Sequence, residues 1–180
     1  KVMFLRELAR ENDEEIKKTL SEARGSLFYE MLSLLMNKYS EKKQKLTNIL
    51  LDLAKKAIKY KNFEKTSDFV QRLIEINAMD NATEIIKEIE DKNGKLTVLT
   101  KAMEKLLEKN YREKAEELLP ETLQLFEEIP KEEALGVSSE LVKLLTKLGN
   151  YDKAIDIVKK YAEGKDPWSA GLLINNILTA

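Results

Sequence analysis

The stretch Met79 to Ile89, MDNATEIIKEI, returns 72 residues later as Tyr151 to Tyr161, YDKAIDIVKKY. Asp, Ala, Ile and Lys fall at the same places, and Glu84 against Asp156 and Ile86 against Val158 are conservative changes. A looser copy starts at Tyr111, YREKAEELLPE. A chain that reuses one amphipathic segment is expected to stack copies of one supersecondary unit, because a single copy cannot bury its apolar face alone. The small residue of each copy, Ala82, Ala115 or Ala154, is followed one turn later by Ile86, Leu119 or Val158. Each copy thus offers a close helix crossing beside a branched side chain that fills the groove. The gaps between the three alanines are 33 and 39 residues.

Elsewhere apolar residues recur at three- and four-residue spacing, no period-two alternation suggests a strand, and only six glycines and three prolines punctuate 180 residues. The reading is all-α, an α-solenoid of antiparallel helical hairpins with about eleven helices. It is taken as one repeat domain over 1–180, with N-terminal helices in 1–62, three hairpins in 63–163 and a C-terminal helix in 164–180. Local signals place the borders. Asp13 and Ser40 read as N-caps, Gly25, Gly94 and Gly149 as helix ends, and Pro120 as a kink or break in the eighth helix. The last helix opens at Asp166-Pro167 and carries Trp168, Leu172, Leu173, Ile177 and Leu178 with little polar cover. That predicts self-association, or docking of a missing segment, through it. The chain begins at Lys1 and is expected to be a fragment of a longer polypeptide or a processed form.

Composition narrows the function. Without histidine or cysteine there is no imidazole base, no thiolate nucleophile and no thiolate metal site, so the expectation is a protein that is not an enzyme and holds no metal or cofactor. Glu84 with Glu88 and Glu104 with Glu108 read as parts of a solvated ion-pair face, and Ser40 before Lys43 reads as a cap instead of a nucleophile pair. Lys plus Arg is 31 and Asp plus Glu is 32, with no basic excess for a nucleic-acid surface. Tyr60, Tyr111, Tyr151 and Tyr161 are therefore expected to brace hairpins, not to stack bases. Abundant Lys and Glu with no Cys suit the surface ion-pair networks of a thermophile. No apolar run is long enough for a membrane span and the first residues lack the apolar core of a signal peptide, which points to a cytoplasmic protein.

Leu141 to Ala162, LVKLLTKLGNYDKAIDIVKKYA, resembles the helix-turn-helix of the tetratricopeptide repeat (TPR) family. Leu141, Leu145, Gly149, Tyr151 and Ala154 fall where that family places its first-helix apolar residues, turn glycine, turn aromatic and second-helix alanine. The likeness extends to Phe63–Asp91 and more loosely to Leu96–Pro130, about half the chain. It implies a scaffold that binds a protein or peptide on a concave face lined by the first helix of each repeat. Carried over by position, that face comprises Ser67, Gln71 and Glu75, then Thr97, Thr100 and Glu104, then Ser139, Lys143 and Lys147. The alternative is a structural, oligomerising or regulatory domain of a larger protein with no peptide groove.

Overall fold

The computed structural model describes residues 1–162, with the side chains of 131–135, 161 and 162 left aside. Among the described residues the protein is all-helical, with ten helices and no strand: α1 (Val2–Arg10), α2 (Asp13–Glu22), α3 (Gly25–Lys38), α4 (Lys43–Lys59), α5 (Phe63–Glu75), α6 (Met79–Lys87), α7 (Lys92–Glu108), α8 (Arg112–Glu128), α9 (Lys131–Lys147) and α10 (Tyr151–Ala162). No described helix is long and apolar enough to cross a membrane. The eleventh helix expected from Asp166-Pro167, and the association expected through it, lie outside the described residues. The chain forms two compact units, Lys1–Glu88 and Ile89–Ala180, so the hairpin beginning at Phe63 belongs with the N-terminal helices.

One turn is used five times. Glu11, Lys61, Asn77, Asn110 and Gly149 each take the left-handed conformation after a helix. The next residue, Asn12, Asn62, Ala78, Tyr111 or Asn150, donates its N–H to the carbonyl five residues back, that of Glu7, Ala57, Leu73, Leu106 or Leu145. That is a Schellman ending, which satisfies carbonyls the helix would otherwise leave unpaired. The same residue then accepts the first hydrogen bond of the following helix, so one residue closes one helix and opens the next. At Asn12 and Asn62 the side chain also accepts from the N–H three residues on.

In the first unit α4 packs against α2, α5 and α6, so α2, α4 and α6 form a row, with α5 against both α4 and α6. Ile16, Leu20, Leu50, Leu53, Ala54, Leu73 and Ile85 are buried along this core. Each leucine or isoleucine removed from water in this way contributes about 1.5–3 kcal/mol. Phe28 of α3 meets Phe69 of α5 edge to face, with centroids 5.7 Å apart. The second unit repeats the pattern in shorter form: α7 packs against α8 and α9, and α9 against α10.

Lysines bridge both rows. Lys17 of α2 reaches Asp52 of α4 at 2.8 Å, Lys55 of α4 reaches Glu88 just past α6 at 2.9 Å, and Lys101 of α7 reaches Glu140 of α9 at 3.0 Å. Glu84 also lies 3.9 Å from Lys55, and Glu104 and Glu108 pair with Lys101 and Lys105, as expected of an ion-pair face.

Several local expectations need correction. Asn12, not Asp13, caps α2, and Asp13 instead pairs with Lys45 at 3.0 Å. Ser40 donates to the carbonyl of Asn37 and caps nothing, because α4 starts three residues later. Gly25 does take positive φ, but it opens α3 after α2 has ended at Glu22. Gly94 ends no helix: Asp91 caps α7 by accepting from the Gly94 N–H at 2.7 Å, which draws the glycine into the first turn. Pro120 does not break α8, which runs on to Glu128. It is exposed, as is Glu116, so the carbonyl deprived of its usual donor faces water. Tyr60, Tyr111 and Tyr151 are 69%, 37% and 55% exposed, whereas Tyr39 is buried, with Lys45 4.9 Å above its ring.

Candidate functional site

The nine residues expected on a binding face do not form one kind of surface. Ser67 is buried and donates its hydroxyl to the Phe63 carbonyl; Thr100 is buried and donates to Leu96 and Thr97. A hydroxyl bonded one turn back along its own helix is already satisfied and can lie in an apolar interface. Thr97 does the same with Asn93. Gln71 is half-buried, and Glu75 is gripped by both oxygens from Arg72, at 2.7 and 2.9 Å. Moreover, α5 is not in the α2–α4–α6 row.

In the second unit four of the nine residues come together. Thr100, Glu104, Lys143 and Lys147 line a single cleft of about 150 Å³ between α7 and α9, together with Lys101, Glu140 and Leu144. Thr97 lies one turn before Thr100 on α7, and Ser139, half-buried, lies one turn before Lys143 on α9. Helical spacing explains the convergence. Thr100 and Glu104 are four apart on α7, as are Lys143 and Lys147 on α9, so each pair occupies one stripe.

The charges in this cleft are unevenly spent. Lys101 stands between Glu140 at 3.0 Å and Glu104 at 3.3 Å. Burial by itself lowers the Lys101 pKa, but the Glu140 and Glu104 carboxylates more than reverse this and raise it, so the ammonium is held charged. Both acids in the lining are thereby committed. Lys143 and Lys147 are exposed and carry no ion pair among the described residues. Buried Leu144 and Thr100 supply an apolar floor. The arrangement suits a carboxylate or another anionic group lying along α9. Lys101 and Glu140 were not anticipated, although their separation of 39 residues equals the gap between Ala115 and Ala154.

A second and larger cleft, about 610 Å³, lies in the first unit where α2 ends, α3 begins and α5 begins; Arg24, Phe28, Tyr29, Glu64, Lys65 and Asp68 are in its lining. Lys65 donates to the carbonyls of Ser21 and Ala23, at 2.7 Å each, and sits 4.9 Å over the Phe28 ring. Burial, then the nearby Arg24 charge, lower its pKa. Burial raises the Asp68 carboxyl to about 6. Nothing in the local pattern of FEKTSDFV singles out Asp68, because its surroundings come from α2 and α3, some forty residues earlier in the chain.

Among the described residues no group of three or more acids is placed to hold a metal ion. Compared with known proteins, the chain matches no family model, no curated protein and no solved structure.

Proposed function

We propose that the protein is a TPR-like α-solenoid that binds an extended acidic peptide segment of a protein partner in the α7–α9 cleft, and that it performs no chemistry of its own. The observation that carries this reading is the convergence of Thr100, Glu104, Lys143 and Lys147 on one cleft, in which the acids are occupied by Lys101 and two lysines remain unpaired. The five repeated turns and the row of Lys–acid bridges support a helical repeat, and repeats of this kind present surfaces. Exposed lysines four residues apart on one helix match acidic residues of an extended chain by charge, in a site whose affinity falls with salt.

Selection of peptides from a random displayed library on the immobilised chain, with Lys143→Glu/Lys147→Glu as the counter-target, tests this. Acidic sequences should be enriched, with micromolar affinity that drops at least about tenfold, or 1.4 kcal/mol, on the double variant. Enriched peptides without acidic residues, or binding both proteins equally, would refute it.

A further inference from the structure

The first unit holds a half-buried carboxylate, one oxygen of which no group of the described chain partners. Asp68 makes no ion pair among the described residues, and its Oδ2 is shielded from solvent without a hydrogen-bond donor. A buried carboxylate oxygen in that state is unfavourable, and such atoms are few in folded proteins. Two of the cations near it are committed elsewhere. Lys65 gives two short hydrogen bonds to backbone carbonyls at the end of α2, and Arg72 is held by both oxygens of Glu75. Arg24, exposed before the first turn of α3, also lines the cleft and makes no ion pair among the described residues.

Beside Asp68 stands Tyr29, whose ring is 46% exposed and held edge to face against Phe28 at 5.2 Å. The Asp68 charge, and a hydrogen bond that the Tyr29 hydroxyl gives this carboxylate, raise the pKa of the tyrosine, and the donor leaves Oδ2 unpartnered. Glu64, exposed and one turn before Asp68 on α5, adds negative charge to the same wall. We infer that this cleft binds the ammonium or guanidinium group of a basic side chain from a peptide partner, with Asp68 as its hydrogen-bond acceptor and Tyr29 as the ring it lies against. The terminal torsion of an aspartate is soft, so a small rotation presents Oδ2 to the ligand. A charge-assisted hydrogen bond then replaces an unmade one, and a cation over a tyrosine face adds a further attraction. The cleft's volume of about 610 Å³ leaves space for the aliphatic stem of such a side chain. This site is separate from the lysine-lined cleft of α7 and α9 and does not depend on it.

The test is an NMR titration of the whole chain with N-acetyl-arginine amide and N-acetyl-lysine amide, and with N-acetyl-glutamine amide as neutral control, up to about 10 mM, where a ligand of Kd near 1 mM approaches saturation. Saturable shifts are expected at Tyr29, Lys65 and Asp68 for the basic probes. Asp68→Asn should weaken them at least about tenfold, with its remaining resonances unmoved as proof of folding, and Tyr29→Ala should weaken them too. The Asp68 carboxyl should titrate at lower pH when the probe is bound. Lys143→Glu/Lys147→Glu should leave these shifts as they are. No saturable shift, equal binding by Asp68→Asn, or equal response to the glutamine probe would overturn the assignment.

Discussion

The two units use the same turn and the same kind of bridge between helices, yet their clefts are opposite in what is left unpaired. In the first, Lys65 is occupied by carbonyls and Arg72 by Glu75, while Asp68 makes no ion pair among the described residues; in the second, the carboxylates are occupied by Lys101, while Lys143 and Lys147 make none. A shared backbone plan thus leaves recognition to a few side chains that the intramolecular pairing does not consume. The contrast also shows why counting charges misleads: 31 basic against 32 acidic residues describes neither cleft.

The sharpest way to probe the comparison is through the paired alanines of the repeated segment. Ala82 and Ala154 are both buried at helix contacts, so Ala82→Leu and Ala154→Leu should each destabilise by roughly 1–3 kcal/mol through overpacking. Thermal unfolding checks this. An unchanged melting temperature for either would show that the two copies do not cross their neighbours alike.

A somewhat smaller effect separates the units by pH. Asp68 has a folded pKa of about 6 against an ordinary 3.8, so the folded state binds its proton more tightly than the unfolded one. Stability from this group is therefore lost as pH rises from about 4 to about 6 and stays lost above that. Asp68→Asn should abolish this slope and stabilise the protein at pH 7 by about 1 kcal/mol, a figure reduced for the partial exposure of the site. Urea unfolding at pH 4.5 and 7 measures it; a variant no more stable at pH 7 than at pH 4.5, relative to the parent, would contradict the assignment.

The turns offer a comparison of similar size. Lys61 and Gly149 occupy the same left-handed position after α4 and α9. Lys61→Gly removes a crowded Cβ and should stabilise by up to about 1 kcal/mol, less the entropy glycine adds to the unfolded chain, whereas Gly149→Ala should destabilise by about 1 kcal/mol. Opposite signs in chemical denaturation would bear this out. Finally, Lys17→Met and Lys101→Met remove equivalent bridges, and each should cost at most about 1 kcal/mol, with the difference fading at high salt. A larger loss for Lys101→Met that persists in salt would mean the bridge also sets the packing of α7 on α9.

Much of the helical plan was legible because its causes are local. Asn77, Asn110 and Gly149 are residues that tolerate or favour a left-handed helix ending, Asn62 is a good N-cap, and the apolar stripes of α4 and α5 follow helical spacing. The misreadings arose where two local signals competed. Gly94 looked like an ending, but Asp91 three residues earlier captured its N–H and made it a beginning. Pro120 looked like a break, but the released carbonyl is on the wet side of α8. Ser67 and Thr100 looked like surface polar groups, but each hydroxyl satisfies itself on its own helix and is free to be buried.

What the sequence by itself determined is the all-helical class, the reuse of one segment, and the pairing of Lys143 with Lys147 and of Thr100 with Glu104 on single stripes, since these depend only on the helical repeat. Tertiary structure alone decided which stripes meet. It placed α4, not α5, in the row with α2 and α6, set Lys101 against Glu140 across two helices, and enclosed Asp68 with Tyr29 and Phe28 from another helix. Burial and the company a charge keeps are set by residues distant in the chain. For that reason the unpaired carboxylate and the unpaired lysines, on which recognition is argued to depend, become visible only once the helices are packed.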